Sequence, residues 1–152
     1  MPKSVVEGFE SDPVIQYSVF IENKVGRLND CTRLLARNNI HILALTILDT
    51  TDSSIVRMVV DDPDNANSVL NLQGYSFNER VILVVELDSV IDVPRLLSSI
   101  LSAEINVDYM YPLIARPGGK SALAIHLEDM DLAADVLRHQ NFKVLGQGEL
   151  SR

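Results

Sequence analysis

A nine-residue phrase occurs twice in this chain, and the recurrence limits its architecture more than any other feature. Asp62-Pro63-Asp64-Asn65-Ala66-Asn67-Ser68-Val69-Leu70 returns as Asp129-Met130-Asp131-Leu132-Ala133-Ala134-Asp135-Val136-Leu137, a shift of 67 residues (129 − 62). In a chain of 152 residues, such a period leaves room for two copies of one small module. Weaker echoes then align. Asn39-Ile40-His41-Ile42 falls on Glu104-Ile105-Asn106-Val107, and Gly74-Tyr75 falls on Asn141-Phe142.

Each copy has the same order of elements. In the first, residues 16–22 are β-branched and aromatic and read as a strand. Residues 23–27 form a loop, after which Leu28, Cys31, Leu34 and Leu35 recur at helical spacing. Residues 40–48 and 55–60 are strands around a polar turn. Asp62-Pro63 starts a helix, the aspartate as N-cap and the proline where a missing N–H is harmless, and Gly74 closes it. In the second copy, 81–87 is a strand and Leu96, Leu97, Ile100 and Leu101 form a helical face. Strands at 105–115 and 122–128, a helix at 129–140 and a strand at 142–145 follow. The order predicts an α+β chain of two ferredoxin-like βαββαβ modules, residues 14–78 and 81–150. Each is an antiparallel sheet with its helices on one face. About three residues, with no flexible linker, separate the predicted end strands of the two copies. The modules are therefore expected to be joined rigidly, as a joint sheet or a back-to-back pair.

Composition bounds the function. The chain is 47% hydrophobic and 22% charged, within the globular range. No apolar run reaches the ~20 residues that span a bilayer, and no secretory signal is visible at the N-terminus, so no membrane partner is expected. One cysteine, Cys31, excludes an intramolecular disulfide and fits a reducing compartment. A cytoplasmic location is expected. The net charge is −8, the basic residues are scattered along the sequence, and aromatic content is 5% with no tryptophan. Nucleic acid is therefore not expected as a partner.

Candidate chemistry is sparse. His41, His126 and His139 lack metal-ligand spacing. The acidic runs 61–64 and 128–131 lack the glycine and terminal glutamate of a calcium loop and suit helix starts instead. Arg116-Pro117-Gly118-Gly119-Lys120 is too short for a phosphate loop and sits where a hairpin turn is needed. Cys31 lies on an inward helical stripe and reads as an inert buried thiol. No nucleophile–base pair is evident. No catalytic residue, metal or cofactor is expected, and the chain does not read as an enzyme.

The turn Asn23-Lys24-Val25-Gly26-Arg27-Leu28, the Asn39-Ile40-His41-Ile42 entry into the next strand, and the tandem order together resemble ACT domains. From about residue 14 to 150 the chain resembles the stand-alone tandem ACT proteins of bacteria. It departs at Val25, where the family often has proline. The resemblance implies a regulatory role exercised by binding a small molecule, most often an amino acid, between two modules. One module supplies the first strand–helix turn; its neighbour supplies the second strand or its own turn.

The chemistry of the turn agrees. A carboxylate is well met by N–H groups at a helix N-terminus, here those of Gly26, Arg27 and Leu28. Glycine admits close approach to the backbone, and Asn23 can accept from an ammonium and donate to a carboxylate. The competing reading is that Gly26 only relieves a tight turn. The matching turn of the second copy, residues 88–94, has no glycine, loses a donor at Pro94 and places Asp92 where a carboxylate would sit. One functional type of ligand turn is expected. Tyr109 and Tyr111 share a strand face and either line a pocket or pack an interface. The candidate ligand-binding residues are thus Asn23, Lys24, Val25, Gly26, Arg27, Leu28, Tyr109 and Tyr111. The expected partners are an amino acid, a second copy of the chain in a homodimer, and an enzyme under its control. The alternatives are a ligand-free assembly module, or a regulatory subunit of an enzyme of amino-acid metabolism.

Overall fold

The computed structural model describes residues 12–22 and 24–151. The chain runs β1 (Val14–Glu22), α1 (Arg27–Arg37), β2 (Ile42–Asp49), β3 (Ser53–Val60), α2 (Pro63–Leu72) and β4 (Ser76–Leu87). It continues through α3 (Asp92–Ser102), β5 (Val107–Pro112), β6 (Ser121–Leu127), α4 (Met130–His139), β7 (Val144–Leu145) and α5 (Gln147–Leu150). This is the βαββαβ order twice over.

The gap expected near residues 79–80 is absent: one uninterrupted twelve-residue strand, β4, crosses it. Its first half pairs with β1, from Phe20↔Ser76 to Val14↔Ile82. Its second half pairs with β6, from Leu83↔Ile125 to Leu87↔Ser121, and with β7 at Val84↔Leu145. The final strand of one module is therefore the first strand of the next. The physical reason lies in the continuous apolar run Val81-Ile82-Leu83-Val84-Val85: Leu83 and Val85 are buried against the helices on one face, and Ile82 and Val84 in the inter-module core on the other. The strands follow one another as β2-β3-β1-β4-β6-β5. The sheet curls until its ends meet, where Ala44 of β2 bridges Leu113 just beyond β5.

Three apolar layers result. Tyr17, Val19, Ile21, Met58 and Val60 pack with Cys31, Leu35, Ala66 and Leu70 of α1 and α2. Leu83, Val85, Ile125 and Leu127 pack with Leu96, Ile100, Ala133 and Leu137 of α3 and α4. The opposite faces of the two half-sheets meet in a third core that includes Val14, Ala44, Val59, Ile82, Val84, Ala124 and Leu145. The joint sheet and the back-to-back pair, alternatives in sequence, are both present.

Repeat symmetry extends to the backbone. Asp62 accepts from the Asn65 N–H at 3.2 Å and Asp129 from the Leu132 N–H at 3.1 Å, both as side-chain N-caps. All four long helices end in a left-handed residue: Asn39 (φ 59°), Gly74 (76°), Glu104 (57°) and Asn141 (66°). In each case the following N–H reaches back five residues, as in Ile40→Leu35 and Phe142→Leu137. Glu104 is the least suited of the four to this conformation. Glu104→Gly is expected to raise stability by about 0.5–1 kcal/mol, because the lost strain exceeds the added unfolded-state entropy. Urea unfolding checks this; an unchanged or lower midpoint contradicts it.

Two segments differ from the sequence expectation. The strand predicted over 105–115 is shorter: β5 begins only at Val107, contains a register shift between Val107 and Tyr109, and the chain leaves β6 after Leu113. The last strand contains only Val144 and Leu145, followed by α5, which periodicity did not reveal. This short helix ties the second module to the first. The Gln147 amide donates to the Val60 carbonyl at 2.9 Å and accepts from the Ile15 N–H at 3.4 Å. The Gln147 N–H donates to the Asp12 carbonyl at 2.9 Å.

Candidate functional site

The turn between β1 and α1 is built on Gly26, whose φ of 87° places it in the left-handed region. Lacking a side chain, it cannot cap the helix that it begins. The Arg27 N–H, expected to be available to a ligand, donates to the Lys24 carbonyl at 3.3 Å. Among the described residues no acceptor meets the N–H of Leu28 or Asn29. Lys24 pairs with Glu22 at 2.9 Å. Val25 is fully exposed, and Leu28 is half-buried against the α1–α2 core. Asn23 lies outside the described residues. The turn follows the Glu22 end of β1, which pairs with Ser53, while the second module attaches at the Val14 end. Among the described residues, no second module of the same chain stands over the turn.

Tyr109 and Tyr111 lie elsewhere. Gln16 and Glu22 are six steps apart on β1, roughly 20 Å of strand, and both tyrosines reach the Gln16 end. The Tyr111 hydroxyl donates to Gln16 Oε1 at 2.5 Å, and Gln16 Nε2 donates to the Tyr109 hydroxyl at 2.7 Å. Gln16 is wholly buried. Burial, with the Tyr109 oxygen nearby, pushes Tyr111 above the ordinary phenol range, so it keeps its proton and remains the donor. The structure thus separates the two groups of candidate residues.

Beside Tyr109 the two half-sheets part and leave a cleft of about 500 Å³. Its floor is the helix-free face of the first module, where Arg57, Ser18 and Asn78 lie in register across β3, β1 and β4, with Arg80 beside them. Its wall is Asp108, Tyr109 and His126 of the second module. The Arg57 guanidinium lies 3.9 Å from the centre of the Tyr109 ring. His126 also stacks with the Tyr109 ring, at 5.1 Å and 7°, and its Nδ1 lies 2.7 Å from an Asp108 oxygen. Phe20 and Ile55 make the outer, apolar part of the floor. Sequence reasoning passed over Arg57 and Arg80. The available signal was a lone arginine inside the apolar run Ile55-Val56-Arg57-Met58-Val59-Val60.

Two other hollows mark the surface. At the opposite end of the inter-module core, Glu86, Arg116, Lys143 and Glu149 surround an apolar floor in a crevice of about 320 Å³. Lys143 pairs with Glu149 at 3.3 Å, and Lys120 lies 3.7 Å from Glu86. Along α1, Arg27, Arg33 and Arg37 gather around Tyr75 in a depression of about 300 Å³, although they look scattered in sequence. Among the described residues no group of three His, Cys, Asp or Glu side chains forms a metal site, and no helix is long and apolar enough to cross a membrane. Cys31 is buried and its thiol is pushed up to about 11 by desolvation, which fits an unreactive thiol.

Residues 13–152 match the family model described as an ACT domain pair. No curated protein sequence matches. Among solved structures, the chain is similar to protein BT0572 from Bacteroides thetaiotaomicron. The two share 28% identity over 92% of this chain and 96% of that one, with a TM-score of 0.84. It also shares its fold with the regulatory subunit of aspartate kinase from Thermus thermophilus, solved in a ligand-free form (18% identity, 87% and 93% covered, TM-score 0.57). The corresponding subunit from Thermus flavus is similar as well (16% identity, 84% and 92% covered, TM-score 0.56).

Proposed function

The chain belongs to the family of ACT domain pairs, and on that premise we propose that it is a non-catalytic regulatory protein that binds a small metabolite, with an amino acid as the first candidate, at an interface between ACT modules. One observation carries this reading: two modules fixed by a shared strand leave a cleft lined by polar side chains from both. Such a cleft can report occupancy, because a ligand touching both walls changes the balance of contacts between rigid bodies. The fold shared with regulatory subunits of aspartate kinase supports the regulatory part. An enzyme partner belongs to the proposal on the same ground.

The turn at Lys24–Leu28 is the second proposed contact. Since it stands open at the far end of β1, a ligand there would be completed by a second chain, which is the ground for including a homodimer in the proposal. A ligand-free assembly module remains the competing reading. Leu48, Ile55 and Phe20 align across β2, β3 and β1 on the helix-free face, and Leu48 and Phe20 are exposed.

The test is a thermal-shift screen with the common amino acids. A ligand that binds the folded state raises the melting temperature with its concentration. Gly26→Ala separates the two contacts. It is expected to cost about 1–2 kcal/mol, because an L-residue is strained at this φ, yet to fold, since a Cβ there meets nothing within 4 Å. Loss of the ligand-induced shift in this variant assigns the ligand to the turn. A retained shift removes Gly26 from the site. Silence of the whole panel favours the assembly reading.

A further inference from the structure

The cleft beside Tyr109 has a pseudo-symmetric counterpart, and comparing the two isolates what is peculiar to it. Ser18 pairs with Arg57 between β1 and β3; Val84 pairs with Ala124 at the same place between β4 and β6. Tyr109 pairs with His126 between β5 and β6; Ala44 pairs with Val59 between β2 and β3. Every polar residue of one set has an apolar residue in the other. The apolar set lies in the third core, at the end where Ala44 bridges Leu113 and the sheet closes. Closure of the fold therefore does not require Arg57, Ser18, Tyr109 and His126. At their end the half-sheets stay apart.

The charge at that end is unbalanced. Among the described residues, no hydrogen bond or ion pair engages the guanidinium of Arg57 or Arg80. Stacking on Tyr109 occupies the face of the Arg57 guanidinium and leaves its N–H edge free. The nearest carboxylate of the lining, Asp108, is already bonded through one oxygen to His126. The Tyr109 hydroxyl accepts from Gln16, so its own proton is available to donate. Arg57 on Tyr109, and Tyr109 on Gln16, are held before any ligand arrives, which lowers the ordering cost of binding.

We propose that the cleft binds a small molecule with two carboxylates, an acidic amino acid in the first instance; the inference rests on the regulatory reading above and names its ligand class and position. Two carboxylates suit the pair, because Arg57 is anchored on the Tyr109 ring while Arg80 stands on the other side of β1. Their Cα atoms are roughly 12 Å apart, two strand spacings across and two residues along. With Arg57 held against Tyr109 and no partner on Arg80 among the described residues, each guanidinium can take a carboxylate of its own. One carboxylate lies against Arg57 and the Tyr109 hydroxyl, the other against Arg80. The second oxygen of Asp108 receives the ammonium, and Phe20 and Ile55 cover the carbon chain.

Calorimetric titration of the intact chain with L-aspartate, L-glutamate, L-leucine and L-lysine tests this. The acidic pair is expected to bind and the other two are not. Arg80→Ala is expected to weaken binding by more than about tenfold with an unchanged melting temperature, because Arg80 is exposed. Arg57→Lys keeps the charge but loses the planar edge, and is expected to weaken binding as well. Arg33→Ala, exposed on α1 and outside both the cleft and the turn, leaves the affinity as it is. Binding of L-aspartate or L-glutamate that ignores both cleft substitutions overturns the proposal. So does a preference for L-leucine or L-lysine, although the regulatory reading then stands. No binding by any of the four overturns the site, and the wider amino-acid screen then decides the regulatory reading by itself.

Discussion

Val84→Asp is expected to prevent folding, while Asn78→Asp on the same strand leaves stability nearly unchanged. The two positions are six residues apart on β4 and face the same side of the sheet. Asn78 opens on the cleft and is exposed; Val84 is wholly buried among Val14, Ala124 and Leu145. β4 is paired at Val84 on both edges, so the strand cannot roll the new carboxylate toward water. An uncompensated charge at such a site costs several kcal/mol, or binds a proton instead, and the apolar contacts of the valine are lost as well. The sum, on the order of 5 kcal/mol or more, rivals the total stability of an ordinary domain. Circular dichroism and urea titration of the two variants measure the difference. A cooperative transition for Val84→Asp near the wild-type midpoint would mean that the half-sheets do not pack back to back in solution.

The second large effect centres on Gln16. Its two polar atoms serve two tyrosines from the other module, and its side chain is inaccessible to solvent. Gln16→Leu keeps the volume and strands the buried Tyr111 hydroxyl. Tyr111→Phe strands the Gln16 carbonyl oxygen. Each change is expected to cost about 2–3 kcal/mol, since a buried polar group without a partner loses its full hydration. For a chain of this length that corresponds to a melting point lower by roughly 5–10 °C. The double variant is expected to be no worse than the poorer single one, because removing both partners leaves neither unsatisfied. A double-mutant cycle by differential scanning calorimetry reads this coupling directly. Additive losses would show that the two groups do not depend on each other.

Much of the fold was legible because it is written locally. The caps at Asp62 and Asp129, the left-handed closure at Gly74, and the helical spacing of Leu28, Cys31, Leu34 and Leu35 are determined by near neighbours in sequence. What escaped depends on partners far along the chain. The apolar run at 81–85 marks a buried strand but not its continuity with the polar stretch 76–80, so the expected break falls where β4 continues. α5 has only four residues, too few for a helical stripe, and is held by Asp12, Ile15 and Val60. The candidate site divides in the same way. Gly26 was visible as a glycine at a strand–helix turn. Tyr109 was visible as half of an i, i+2 pair, but its neighbours Arg57, Ser18 and His126 come from three other strands. Only the curl of the sheet brings them together.

The shared strand also acts on the folding path. Val14 must find Ile82, and Val84 must find Leu145, so each half-sheet closes a loop of more than sixty residues onto adjoining stretches of one segment. Such distant pairings are slow to form. Until the later one is made, residues 83–87 of a half-folded chain present an apolar strand with open edges, the kind of surface on which other chains pair. By doing without a linker, the protein gains a rigid seam and accepts a folding intermediate whose exposed half-strand must be covered before another molecule reaches it.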